Sequence, residues 1–183
     1  MNSPPNYASV TQVLSPFVDF SMVPPAALAE AAERGSRVHA FCTAYALGLW
    51  SPKLKPHETG YFDSFKSWFD RYVDKVLFAE IEVIDHTHKY KGHPDLGVII
   101  RGDDFGTVID MKTPVSKGPT WRSQIAAYVH ATDPQYNIRR GISLRLRPSG
   151  AIALADPYDY HDSDFAAFLN ALYAYRYFKK GVA

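Results

Sequence analysis

Near Val76 the spacing of apolar residues changes from the helical period of about 3.6 residues to strict alternation, and the two patterns then trade places to the chain's end. Before the change, Pro24-Pro25 opens a helical stretch over residues 26–50, because proline is accommodated in a helix's first turn. A loop at 51–56 follows, then a helix over 60–76 with Phe62, Phe65, Phe69 and Tyr72 along one side. After it, residues 76–84 alternate: Leu77, Ala79, Ile81 and Val83 take one face, Glu80 and Glu82 the other. Residues 96–101 and 107–111 read as two strands joined by a glycine-bounded hairpin loop. Residues 121–131 return to helix, 140–147 and 151–155 form a hairpin across Pro148-Ser149-Gly150, and 162–180 close as an aromatic helix. Ahead of all this, Ser9 is placed to cap a short helical turn. The expectation is an α/β chain with a central mixed sheet flanked by helices, preceded by an N-terminal helical segment. The mainly helical part covers 1–75 and the sheet part 76–183 of one domain.

A chain of 183 residues with 46% hydrophobic and 21% charged residues folds as a globular protein rather than remaining disordered. No apolar run approaches the roughly 20 residues that cross a bilayer, so no membrane partner is expected. The first 33 residues hold no Lys or Arg, which argues against a secretory signal or a mitochondrial presequence. Cys42 stands alone, so neither a disulfide framework nor an iron–sulfur thiolate set exists, and a reducing cytoplasm is the expected compartment. Net charge is +1, yet Lys112, Lys117, Arg122, Arg139, Arg140, Arg145 and Arg147 gather in the later half. Surface cations ordinarily do no more than solvate, so charge is neutral on nucleic-acid binding.

The chemistry concentrates in Gly92-His93-Pro94-Asp95 and Val108-Ile109-Asp110-Met111-Lys112. Folding the hairpin between them brings Asp95, Asp110 and Lys112 to its open end, with Asp110 and Lys112 on one face. Two carboxylates beside an ammonium suit a hard divalent cation next to a scissile phosphate. Met111 between them points into the core, but its carbonyl is a further candidate ligand. Lys112 would orient or help deprotonate the attacking water. An Asp-x-Lys pair alone is ordinarily a weak surface ion pair, so its neighbours decide. Glu80 shares the preceding strand's polar face with Glu82, and spacing does not choose between them. His39 lies four residues after Gly35 on the first long helix, and a mid-helix glycine calls for a close approach of strand or phosphate. Gln124 and Tyr128, also four apart, would contact substrate, as would Arg122. Among Trp50, Trp68 and Trp121, Trp121 is the candidate for stacking on a base.

Taken in order, these residues resemble the PD-(D/E)xK nuclease superfamily, specifically its RecB-type exonuclease branch, which includes phage, prophage and mitochondrial genome-maintenance exonucleases. Ser9-Val10-Thr11 resembles the opening segment, and Gly35 with His39 the Gly-x-x-x-His helix. Glu80 and Gly92–Asp95 resemble motif II with its preceding glutamate. Asp110-Met111-Lys112 resembles the (D/E)-x-K motif and Gln124-x-x-x-Tyr128 the helix after it. Pro94 departs from the pattern, standing where an apolar residue is usual. The resemblance implies a restriction-endonuclease-like core. His39, Asp95, Asp110 and the Met111 carbonyl would sit on Mg²⁺ or Mn²⁺, Lys112 would be the catalytic lysine, and Glu80 would act in the site. It implies a bacterial protein or a phage protein in its host's cytoplasm. The activity implied is a metal-dependent DNA exonuclease acting on ends or single strands in recombination, repair or replication. With no helicase motor in the chain, any translocation would come from a recombination or replication partner or from processive grip. Two alternatives stand: a structure-specific or restriction-like endonuclease, and a nucleic-acid-binding module without turnover.

Overall fold

The computed structural model describes residues 7–49, 54–114, 116–159 and 162–179. The first six residues, Trp50 with the start of the 51–56 loop, and the helix end at Lys180 lie outside the described residues. The chain begins with β1 (Ala8–Ser9) and α1 (Val10–Leu14), where Ser9 makes a capping box with Gln12. A 22-residue helix, α2 (Pro25–Ala46), and then α3 (Thr59–Tyr72) precede the strands. These are β2 (Val73–Ala79), β3 (Val83–Asp85), β4 (Tyr90–Gly92), β5 (Leu96–Ile100) and β6 (Gly106–Lys112). Helix α4 (Trp121–Ala131), β7 (Ile138–Arg145), β8 (Leu154–Asp159) and α5 (Asp162–Phe178) complete the order. No helix among the described residues is long and apolar enough to cross a membrane.

The larger sheet runs β2-β5-β6-β7-β8 and is mixed, as expected. Its β6–β7 pair is parallel and the others antiparallel. A parallel neighbour needs a crossover, and α4 supplies it. Strand β6 sits at the centre and alternates accordingly. Val108 faces α1, α4 and α5, while Ile109 and Met111 face α2 and α3. Asp110 and Lys112 therefore share the α4 face, at the strand's last turn of pleat. Pro157 lies in the edge strand β8, where its missing N–H costs no ladder bond.

Three expectations need correction. The 76–84 strand is two strands, because Glu80 adopts a left-handed φ of +51° and turns the chain out of the large sheet. Beyond that break, β3 pairs with β4 and β4 with β1 in a separate three-stranded sheet, whose β1 and β4 the sequence pattern does not announce. Residues 151–153 are not strand: Ala153 donates its N–H to the Ser64 carbonyl at 3.2 Å, so this segment bonds to α3 and β8 begins at Leu154. Helix boundaries shift by smaller amounts. Helix α3 gives way to β2 at Val73, and α2 ends at Ala46 before Gly48 at φ +66°.

Candidate active site

The β5–β6 hairpin pairs Leu96 with Ile109, so one further step sets Asp95 opposite Asp110. Like charges facing each other across strands are destabilising, and both carboxylates are buried, Asp95 to 7% exposure and Asp110 to 5%. Asp95 is relieved by a hydrogen bond from the Met111 N–H to Oδ2 at 2.5 Å and by His39 Nδ1 at 3.2 Å from Oδ1. Burial disfavours a charged His39, but Asp95, with help from Asp110, outweighs it and raises the imidazole pKa above its ordinary 6.5.

Asp110 is less well served. Lys112 Nζ lies 2.6 Å from Oδ2, and Gln124 Nε2 donates to Oδ1 at 3.3 Å. Oδ2 nonetheless accepts no well-formed hydrogen bond, which is unusual for an oxygen so deeply buried. Burial above all, and the Asp95 charge, push the Asp110 pKa up, while Lys112 pulls it down without prevailing.

Gln124 and Tyr128 stand behind these groups rather than in front of them. Gln124 Oε1 accepts from Lys112 Nζ at 2.9 Å, and its Nε2 donates to the Tyr128 hydroxyl at 3.0 Å. At 8% and 3% exposure they are buried beside Asp110 and Lys112, so little of either side chain is open to the substrate they were expected to contact. Tyr128 also presses close to Gly92, where an added Cβ would lie 2.5 Å from its ring. That contact explains the glycine three residues ahead of Asp95. Burial first, then the Asp110 charge, push the Tyr128 phenol upward.

Glu80, and not Glu82, turns toward the site. Its N–H donates to the Asp95 carbonyl at 2.9 Å and its Oε1 accepts from Thr43 at 3.3 Å. Burial and then the Asp95 charge raise its pKa. Glu82 pairs instead with Lys91 at 2.9 Å. His39, Glu80 and Asp95 line a cavity of about 570 Å³ with Ser36, Thr43 and Leu47 among its other walls. Asp110 does not line it and stands behind Asp95.

Trp121 and Arg122, the other two candidates for substrate contact, make contacts within the chain. Trp121 is 7% exposed and lies under the Lys112 ammonium, 5.6 Å from ring centroid to Nζ, so it supports the lysine. Arg122 points away, donating to Asp164 at 2.9 and 3.2 Å and lying over Tyr158. Trp68 is core. The basic cluster is largely neutralised locally: Lys117 and Arg145 both reach Asp156, at 2.6 and 2.7 Å, and Arg140 pairs with Asp103. Gly35 meets only Thr113 Oγ1, at 3.8 Å from an added Cβ, so no close approach requires it. Cys42 is buried beneath the site, its thiol pushed up by burial and by Asp95.

The donor set fits a hard divalent cation on its chemistry, two buried carboxylates facing each other with Asp110 Oδ2 met only by the Lys112 ammonium at 2.6 Å. His39, Asp95 and Asp110 form a row rather than a closed trio. Among the described residues, the His, Cys, Asp and Glu trio whose ligand atoms all lie within 4.8 Å of one another is Asp85, His88 and His130.

No family model and no curated protein matches this chain. Among solved structures, the crystal structure of SSO0001 is similar over 100% of this chain and 80% of that one, at 15% identity and a TM-score of 0.53. An alkaline exonuclease, LHK-Exo from Laribacter hongkongensis, is similar over 93% of this chain and 86% of its own, at 12% identity and a TM-score of 0.48. The likeness to SSO0001 is one of fold, and the overlap with the exonuclease is too loose to add to it.

Proposed function

We propose that this chain is a Mg²⁺- or Mn²⁺-dependent deoxyribonuclease, an exonuclease acting on DNA ends or single strands. The observation that carries the reading is the buried Asp110, set across from the buried Asp95, with the Lys112 ammonium 2.6 Å from its Oδ2. Asp95 and Asp110, with His39 and the Met111 carbonyl beside them, would hold the cation, which supplies charge neutralisation at the phosphate and a more acidic water. Gln124 fixes the Lys112 ammonium by accepting from Nζ, and the hydrogen directed at neither Gln124 nor Asp110 would orient the attacking water. Glu80, kept readier to hold a proton by burial and by Asp95, lines a cavity with His39 and Asp95 and would protonate the leaving oxygen. Water adds across the P–O bond, its hydroxide on phosphorus and its proton on the departing oxygen. The mixed sheet flanked by helices and the order of the motifs along the chain support the same reading.

A second reading, a nucleic-acid-binding module without turnover, draws on Lys112 lying 2.6 Å from Asp110 and on the absence of Asp110 from the cavity wall. End-labelled single- and double-stranded DNA, incubated with Mg²⁺, Mn²⁺ or chelator, separates the two. Metal-dependent shortening from an end supports the exonuclease. Binding with no product supports the module, and cutting of a closed circle points to an endonuclease.

A further inference from the structure

Away from the carboxylate row, Asp85 ends β3 and the chain turns back into β4 through Lys89, held at a left-handed φ of +57°. Within this turn His88 donates its N–H to Asp85 Oδ1 at 2.8 Å and brings Nδ1 to Oδ2 at 2.9 Å. From the last turn of α4, His130 brings its own Nδ1 to the same Oδ2, also at 2.9 Å. One buried carboxylate oxygen thus faces two imidazole nitrogens from two separate elements.

The surroundings fix these groups. Arg176 of α5 donates to the carbonyls of His88 and Lys89, each at 2.7 Å, which pins the turn. Phe165 stacks on the His130 ring at 3.8 Å between centroids and 16° between planes, setting its orientation. The Asp85 side chain is 5% exposed, His88 23% and His130 35%, so the trio is rooted in the core and open on one side. That side borders a cavity of about 580 Å³ between the β3–β4 turn and the segment after α4.

We propose that Asp85, His88 and His130 form a binding site for a first-row transition-metal dication, Zn²⁺ foremost. Two imidazole nitrogens and one carboxylate oxygen are a borderline donor set, which favours Zn²⁺, Co²⁺ or Ni²⁺ over the all-oxygen preference of Mg²⁺. The three atoms already lie within 4.8 Å of one another, so a small outward movement accommodates metal–ligand bonds of about 2.0–2.2 Å. On binding, each imidazole presents its Nδ1 lone pair to the ion and carries its proton on Nε2. The cavity side leaves a fourth position for water. Strand, turn and helix end each supply one ligand, so the ion would tie the small sheet to α4. The role is structural, and it holds whether or not the nuclease reading does.

The test uses the full chain carrying Asp110→Asn, which removes competition from the carboxylate row. Co²⁺ titration should give a visible absorption band saturating at one equivalent and displaced by Zn²⁺. Zn²⁺ at about one hundredfold its Kd should raise Tm by about 5–10 °C, and Mg²⁺ should not. Adding His130→Ala or His88→Gln should abolish the band and the Zn²⁺-induced shift, with the metal-free circular dichroism unchanged. His130 is partly exposed, so His130→Ala folds and decides the matter even if His88→Gln does not. No band in the parent, a band surviving in His130→Ala, or an equal shift with Mg²⁺ would overturn the site and leave Asp85 as a hydrogen-bond acceptor only.

Discussion

Asp110 shows what a buried carboxylate costs the fold. Its pKa is raised above the ordinary 3.8, by burial first and by Asp95 next. The folded state therefore holds the proton more tightly than the unfolded chain. Stability is lost as pH rises from the unfolded value through the folded one, and at neutral pH the whole penalty is present. Asp110→Asn should raise the metal-free Tm at pH 7, and the gain should shrink as pH falls toward 3.8. A lower Tm at pH 7 would mean that Lys112 more than compensates the buried charge. Gln124 acts through its neighbours, holding Lys112 Nζ and Asp110 Oδ1 at once. Gln124→Leu should lower turnover by about 10–100-fold with KM for DNA little changed. Tyr128→Phe, which keeps the ring against Gly92, should do less. A KM effect larger than the kcat effect for Gln124→Leu would return Gln124 to substrate contact.

At the scale of elements, the long periodic segments were legible and the short ones were not. Helix α4 spans Trp121–Ala131 and β6 ends at Lys112, close to where alternation and helical spacing put them. Strands β3 and β4 have three residues each, too few to show a period, and the left-handed turn at Glu80 has no glycine to announce it. In α3 the stripe read at Phe62, Phe65, Phe69 and Tyr72 is turned slightly. Tyr61, Phe65 and Trp68 take the core, because neighbouring aromatic positions fit both registers. Glycines divide likewise. Gly60 meets the Pro148 carbonyl, where an added Cβ would lie 1.9 Å away against backbone. Gly60→Ala should cost about 1–3 kcal/mol in a urea titration. Gly35 has room, so Gly35→Ala should stabilise by about 1 kcal/mol through helix propensity. A Gly35→Ala protein that gains stability but loses DNA affinity would place Gly35 on the path of the nucleic acid.

Across the whole molecule, the mixed sheet puts α2 and α3 on one face and α4 and α5 on the other, and the candidate site lies where both layers reach the sheet's end. His39 comes from the first layer and Gln124 and Tyr128 from the second, with Asp95, Asp110 and Lys112 between them. His39, Asp95, Asp110 and Lys112, which the structure brings together, were candidates in the sequence because each residue type carries its chemistry there. Depth was not readable: Trp121, Gln124 and Tyr128 are amphipathic, and only packing decides whether such side chains face solvent or support a neighbour. The Asp85, His88 and His130 group escaped the sequence reading because its ligands span a turn and a helix end 42 residues later, with no shared motif. The most direct measurement is Mn²⁺-dependent release of nucleotides from end-labelled DNA by the full chain and by Asp110→Asn. The account predicts shortening by the parent, none with chelator, and a rate about a thousandfold lower or less in the variant. Equal cleavage by both proteins, or DNA left intact by the parent in Mn²⁺, would contradict it.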